Sequence, residues 1–511
     1  MQRCKYAKVI ERWSFVEVTM SGESKGNPFI DYTIWGTFTS NHESKCVSGF
    51  YDGDGVYTVR FMPSFVEEYS FRIEGTFSSE QFEGSFEVIP PSVENHGPVR
   101  VANTYHFAYE DGTTYYPIGT TCYVWELQNE ELQNLTLKTL KDSAFNKIRF
   151  CVFPKHYDYN LHEPRSYPYE GTPCDSSILD SDNFNDYTGR ADGNEWDFSR
   201  FNVEHFQHIE KSILALQRLG IEADIIVMHP YDRWGFSMMT EAQDDLYWQY
   251  VLARFSAFRN VWWSLANEYD LLFGKTIKDW ERYASLICAL DPYNHLRSIH
   301  NCKAFYDHSR PWITHCSIQR QDVYKSAEYV GDWRNRFQKP IVLDEIGYEG
   351  NVQHGWGNLS GKELMRRFWE AACRGGYGAH GETYLDTERI LWWSHGGALK
   401  GESPARIAFL RKIMEEVPSV GLKPFTLGWD EVCAVCDSLE TDHKAVQNYY
   451  LIYYGFNRPS FREFHFDDDT KLKVEVIDTW NMWIEDQGEF KGKFRVALPG
   501  REYMAIRITL V

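Results

Sequence analysis

Three regimes of hydrophobic and polar patterning divide the chain. Up to about residue 90, polar and apolar residues alternate over short runs, as in YTVRFMP, YSFRIEGTF and GSFEVI, with turn signals such as DGDG between them. A period of two turns one face of each strand inward, so residues 1–92 are expected to form an Ig-like β-sandwich. IPPSVENHGPV then brings proline and glycine with little periodicity and reads as a linker. Over residues 100–417 the pattern becomes apolar strand, loop and amphipathic helix, repeated about eight times. The strand candidates are YYPIGTT, NKIRFCVF, ADIIVMH, NVWWSLA, LRSIHN, WITHCSI, PIVLDEI and YGAHGETY. Helix ends are marked between them. Asn202 caps a helix that stops at Gly220, Thr240 opens another, Ser360 and Glu363 make a capping box ahead of Gly375, and Ser403 with Pro404 starts the last. This repeat predicts an α/β fold, a (β/α)8 TIM barrel. Strand alternation returns over residues 418–511, in NYYLIYYGF, KLKVEVIDTW, KFRVAL and YMAIRITL, and predicts a second β-sandwich flanking the barrel.

Composition narrows the partners. A chain of 511 residues is too long for one ordinary core, and a 16% aromatic content leaves rings for sugar faces as well as cores. The net charge is −20, and no block of Lys and Arg could track a phosphate backbone. Nucleic acid and anionic membranes are therefore poor candidate partners. The first segment, MQRCKYAKVIERWSFVEV, lacks an uninterrupted apolar stretch, and no later window approaches 18 apolar residues in a row. A cytoplasmic location is the expectation. Eleven cysteines, scattered from Cys4 to Cys436 and often inside apolar runs, read as reduced buried thiols. Cys433 and Cys436 lack the second pair that a structural zinc site needs, so no metal is expected. GYGAHG, from Gly376 to Gly381, satisfies G-x-G-x-x-G but follows a helix and enters a strand, the reverse of the dinucleotide arrangement. No cofactor is expected, and the oligomeric state stays open.

The candidate chemistry lies at the ends of the strands. Barrel strands are buried along their length, and their carboxyl ends open into the loops where active sites form. A polar residue that terminates an apolar strand therefore points into the mouth. Glu268 ends the fourth strand, in NVWWSLANEYD, and Glu345 ends the seventh, in KPIVLDEIGYEG. These strands face each other across a barrel, so their carboxylates can flank one small substrate. In a retaining glycosidase such a pair is about 5–5.5 Å apart, one acting as nucleophile and the other as acid and then base. The nucleophile needs a cation to stay ionised, and Arg149, inside the apolar strand FNKIRFCVFP, needs an anion. Glu345 is its expected partner. Asn267, next to Glu268, can donate to a sugar hydroxyl, and His229, His315 and Glu382 are expected to complete a polar ring. Trp125, Trp234, Trp356, Trp392 and Trp393 fall in or near strand-to-helix loops, with Trp125 and Trp393 the foremost candidates for stacking on sugar. The loop PKHYDYNLHEPRSYPYEGTP is expected to shape one wall. Each of these residues also has a plainer reading. Arg149 could serve a structural ion pair, His229 and His315 could be core histidines, and Glu382 could pair with Arg374 or Arg389.

FNKIRF, a histidine ending strand three, NE ending strand four, a histidine on strand six and a glutamate ending strand seven together resemble the clan of retaining glycosidases that includes families 5 and 140. The whole chain resembles bacterial proteins carrying domain-of-unknown-function families 5060, 4038 and 5605 in that order, the middle one apiosidase-like. The resemblance implies Glu268 as acid/base and Glu345 as nucleophile, with Arg149 and His315 supporting the nucleophile and Asn267 and His229 binding sugar. One departure stands out. Many clan members place a tyrosine just after strand six, where this chain has HCSIQRQ, so the hydrogen bond from that tyrosine to the nucleophile lacks its usual donor. The function expected is a retaining glycoside hydrolase, exo-acting on short plant-derived oligosaccharides, with pentosides such as apiosides suggested by the resemblance. One alternative is a non-catalytic carbohydrate-binding protein on the same scaffold. A metal-dependent hydrolase using His229, His300, His315 and Glu345 is the other, though no H-x-H or H-E-x-x-H spacing supports it.

Overall fold

A computed structural model describes residues 4–157, 159, 163–174, 193–320, 322, 324–436 and 448–511. At its centre are eight parallel strands: β1 (Gly119–Thr121), β2 (Lys147–Cys151), β3 (Glu222–Met228), β4 (Val261–Ala266), β5 (Arg297–Ser298), β6 (Cys316–Gln319), β7 (Ile341–Glu345) and β8 (Tyr377–His380). They pair in the order β5-β4-β3-β2-β1-β8-β7-β6, and a parallel bridge between His300 and Ser317 joins β5 to β6, closing the ring. Strands β1 to β4, β6 and β8 are buried at every residue, which is why their sequences run apolar instead of alternating.

The outer helices are α1 (Glu130–Lys141), α2 (Val203–Arg218), α3 (Glu241–Phe255), α4 (Ile277–Leu290), α5 (Val330–Phe337), α6 (Gly361–Cys373) and α7 (Ser403–Glu415). The connection from β5 to β6, residues 299–315, contains no helix, so the fifth unit of the expected repeat is incomplete. Thr240 and Gln243 form a full capping box on α3. Ser360 accepts the Glu363 amide at 3.2 Å, but the Glu363 carboxylate turns to Arg366 and Arg367, so only half of the expected box forms on α6. Asn202 precedes α2 without a side-chain cap bond. Among the described residues no helix is long and apolar enough to cross a membrane.

The stretch read as a linker leads into a hairpin, Val99–Ala102 with His106–Tyr109, that plugs the amino end of the barrel. Its Phe107 packs 5.2 Å from Trp262 and 5.4 Å from Tyr377, in a small core with Val99, Tyr115, Leu296 and Val342. On the amino-terminal side a four-stranded and a five-stranded sheet face each other, with Phe38 stacked on Phe61 at 4.4 Å. On the carboxyl-terminal side a six-stranded sheet is covered by the pair Phe461–His465 and Lys493–Ala497, and Tyr453 of that sheet stacks on Trp369 of α6 at 5.5 Å. The cysteines follow the expected pattern in part: eight are buried, but Cys46 and Cys288 are exposed and Cys174 is half-buried.

A buried ion cluster fixes the amino-terminal sandwich to the barrel. Arg60 grips Glu210 of α2 through two bonds of 2.6 and 3.0 Å, and Arg254 of α3 donates to the same carboxylate at 2.6 Å and pairs with Asp52 at 2.8 Å. Glu210→Ala would leave two buried guanidinium groups without their shared anion, a loss of about 3–5 kcal/mol. The variant is expected to melt several degrees below the parent by circular dichroism; an unchanged melting temperature would contradict the cluster's role.

Candidate active site

At the carboxyl ends of the strands lies a cavity of about 360 Å3, and both Glu268 and Glu345 line it. Glu268 follows β4 with φ of 49° and ψ of 54°, in the left-handed region that a non-glycine residue occupies at a cost of about 1–3 kcal/mol. This backbone turn swings the carboxylate back over the strand end. Gln319, the last residue of β6, donates to its Oε1 at 2.6 Å, and the Tyr231 hydroxyl donates to its Oε2. Two residues on, Asp270 has a different task. Its carboxylate accepts the amides of Cys302, Lys303 and Ala304 at 2.6, 2.8 and 2.8 Å and so ties the loop after β5 to the turn that presents Glu268.

Glu345 is the last residue of β7. Its Oε1 accepts from the Tyr123 hydroxyl, and Arg149 Nη1 lies 3.7 Å and His300 Nε2 3.5 Å away. Beneath it, Lys147 bridges Asp224 and Asp344 at 2.6 and 2.7 Å. Ser317 donates to Asp344 at 2.5 Å while lying 2.9 Å from His300 Nδ1. Burial and the Arg149 charge hold the His300 ring well below its ordinary pKa, so it is neutral. With the serine proton committed to Asp344, the imidazole carries its proton on Nδ1 and turns a bare Nε2 toward Glu345. Burial, then the like charge of Glu268, pushes Glu345 up to about 7 against the pull of Arg149, Tyr123 and Lys155. For Asp344 burial acts in the same direction, but Lys147 and Arg149 outweigh it and keep that carboxyl well below the usual range.

The remaining wall is aromatic and cationic, with Tyr157, Tyr348, Trp356, Trp393 and Lys155 among the lining side chains. Trp356 and Trp393 stand 5.2 Å apart, and Trp393 meets Tyr123 edge-on at 5.3 Å. Lys155 and Tyr157 come from the loop expected to form a wall; its residues 158 and 160–162 lie outside the described residues.

Of the residues singled out in the sequence, the structure brings Glu268, Glu345, Arg149, Asn267, Trp356 and Trp393 together. Asn267 is buried beside the pair, its Oδ1 3.4 Å from the Tyr123 hydroxyl. The others are placed differently. His229 stands behind Tyr231, donating to the Phe153 carbonyl at 3.2 Å, and burial lowers its pKa to about 3. His315 is at the wrong end of the barrel. The sixth strand begins only at Cys316, so His315 packs edge-on to Phe107 and Trp262 at the amino-terminal plug, and His300 takes the position beside Glu345. Glu382 lies beyond the end of β8, on a short strand paired with Glu349, and accepts the amides of Lys400 and Gly401 at 2.6 and 2.7 Å. It supports the loop into α7 and pairs with neither arginine considered, Arg374 having Glu370 at 2.9 Å. Trp125 is core, edge-on to Phe150, and Trp392 donates to Thr120 at 2.8 Å inside the barrel wall. The hydroxyl missing after strand six is supplied from β1's loop by Tyr123. Among the described residues no three His, Cys, Asp or Glu side chains group as a metal set.

A parallel eight-stranded barrel with two glutamates at the ends of β4 and β7 is the framework of the clan A glycoside hydrolases. Residues 101–420 match the family described as apiosidase-like, catalytic domain, while residues 9–76 and 429–509 match domains of unknown function 5060 and 5605. A solved structure from Bacteroides vulgatus ATCC 8482, provisionally classed as a glycoside hydrolase, is 36% identical, with a TM-score of 0.89 over 99% of this chain and 100% of that one. A glycoside hydrolase family 5 structure from the same organism is 16% identical with a TM-score of 0.58, covering 81% of this chain and 94% of its own, a likeness of fold alone. No curated protein matches the chain in sequence. The chain belongs to the apiosidase-like family.

The Asp270 anchor generates a prediction independent of activity. Asp270→Ala removes the acceptor for three successive amides and should loosen the segment that carries buried Cys302. Alkylation mapped by mass spectrometry is expected to modify Cys302 at a rate approaching that of exposed Cys46 and Cys288; parent-like protection of Cys302 would contradict the anchoring role.

Proposed function

We propose that this chain is a retaining glycoside hydrolase, exo-acting on short plant-derived oligosaccharides, with Glu345 as nucleophile and Glu268 as acid/base. The observation that carries the reading is one cavity lined by two glutamates from opposed strands, each held by its own tyrosine, with the Arg149 cation on the Glu345 side alone. Glu345 attacks the anomeric carbon as the bond to the leaving oxygen breaks and Glu268 delivers its proton to that oxygen. Glu268 then takes a proton from water as the water oxygen attacks the same carbon, the bond from that carbon to Glu345 breaks, and the free sugar leaves with the Glu345 carboxylate restored. Asn267, beside Glu268, is the proposed donor to the sugar hydroxyl next to the reacting carbon, and Trp393 the proposed stacking ring. A cavity of about 360 Å3 sits near the lower end of ligand pockets, about 300–1,000 Å3, which supports a terminal sugar over the middle of a polymer. The family supports a pentoside such as an apioside. We assign residues 1–92, 100–417 and 418–511 as three domains, the outer two serving stability.

Glu345→Ala and Glu268→Ala should each abolish turnover of an activated aryl glycoside, with azide restoring turnover to the Glu345 variant as a glycosyl azide. Full activity in either variant would end the reading. Tyr123→Phe tests the electrostatics. The hydroxyl favours the charged form of Glu345, so its loss raises that pKa above about 7 and moves the acid limb of kcat/KM to higher pH. Activity at pH 6 should then fall more than activity at pH 8; an equal loss at both would show that Tyr123 does not tune the carboxylate.

A further inference from the structure

Lys155 stands where the two carboxylate systems meet. Its Nζ lies 3.6 Å from the centroid of the Tyr123 ring and 4.4 Å from that of Tyr231, with Trp393 at 4.1 Å and Tyr157 at 5.3 Å. Tyr123 donates to Glu345, and Tyr231 donates to Glu268. One ammonium group therefore faces the rings of both phenols whose hydroxyls orient the two carboxylates. A cation over an aromatic face is attracted by the ring quadrupole, and the attraction is stronger where water is excluded. Lys155 is almost fully buried, and its loop is tied to the Tyr231 loop by the His156 amide, which donates to the Tyr231 carbonyl at 2.9 Å.

We infer, resting on the glycosidase reading above, that Lys155 is a positioning residue whose ammonium clamps the Tyr123–Glu345 and Tyr231–Glu268 pairs at one spacing. Its charge also opposes the upward push on Glu345. The groups that act on the ammonium come from several elements. Cys151 and Arg149 belong to β2, Glu345 to β7 and Glu268 to the end of β4, while His229 sits behind Tyr231. Burial lowers the Lys155 pKa to about 8; Cys151, Glu345 and Glu268 oppose that shift, and Arg149 adds to it. The amine is accordingly charged through the neutral range in which the pair must work. Of the two cavity glutamates Arg149 approaches Glu345 and not Glu268, so it cannot substitute for a cation shared by both tyrosines.

Lys155→Met and Lys155→Arg in the full chain, assayed across pH on an activated aryl glycoside, test the inference. Lys155→Met is expected to lower kcat about 10- to 100-fold with KM within about threefold of the parent, because the reacting groups lose their spacing and not their affinity for sugar. Losing the cation also raises the carboxylate pKa, so the acid limb should move up by about one pH unit. Lys155→Arg should recover most of kcat and return the limb. If Lys155→Met does not fold, Lys155→Gln is read in the same way. A parent-like pH profile in a folded, neutral variant would overturn the inference while leaving the glycosidase reading intact, as would a loss confined to KM, which would make Lys155 a substrate donor. A parent enzyme inactive on every aryl glycoside would defeat both.

Discussion

The arrangement depends on two cations buried inside the barrel. Lys147 and Arg149 are two residues apart on β2, so both side chains point to the same side of the strand, one layer above the other. Neither can remain inside a closed ring of strands without an anion, because an unpaired buried charge is among the costliest defects a fold can carry. Lys147 finds Asp224 on β3 and Asp344 on β7, which fastens strands from separate parts of the chain across the interior. Arg149, nearer the mouth, is left with Asp224 at 3.9 Å and Glu345 at 3.7 Å. Three carboxylates thus face two cations. Arg149 is therefore shared instead of committed to Glu345, and burial, then the like charge of Glu268, pushes Glu345 up to about 7 against its pull.

Above this layer the loops decide the detail. The left-handed backbone at Glu268 is tolerated because Asp270 pins the neighbouring loop and Gln319 and Tyr231 hold the carboxylate. Glu345 needs no such turn, being the final residue of its strand, but the chain must leave at once. Gly347, with φ of 87°, makes that exit, and a Cβ there would stand 2.8 Å from Leu359 and 2.9 Å from Arg367. Arg367 uses the same space to donate to the Ile346 carbonyl at 2.7 Å, so the strand end is held from below as well.

What could be read in advance followed from strand patterning, and what could not followed from loop paths. Glu268, Glu345 and Arg149 are polar residues in or at the end of apolar strands, and burial alone forces them to meet. The same rule, applied to LRSIHN and HCSIQ, points to His300 and Gln319. WITHCSI, however, reads as one strand when only its second half is one, which puts His315 at a strand end it does not occupy; the connection before it has no helix to mark the boundary. Trp125 and Trp393 look alike in sequence, each in a loop beside the barrel, yet one points into the core and the other into the cavity. Tyr123 and Tyr231 carry no local signal, and for Lys155 the sequence marks only its loop and not the residue. Their positions are set by where three separate loops cross, which periodicity does not encode. The amino-terminal plug was hidden for a related reason: four-residue strands in a segment rich in turn residues give too short a pattern to read.

The central claim is that Glu345 forms a covalent bond to the sugar while Glu268 moves the proton. A slow-turnover fluorinated aryl glycoside of a sugar that the enzyme cleaves tests it most directly, by trapping the intermediate for digestion and peptide mass mapping. The account predicts one added glycosyl group on the peptide containing Glu345, absent from the Glu345→Ala variant. Label on any other residue, or no label from a substrate whose product forms with inverted configuration, would contradict it.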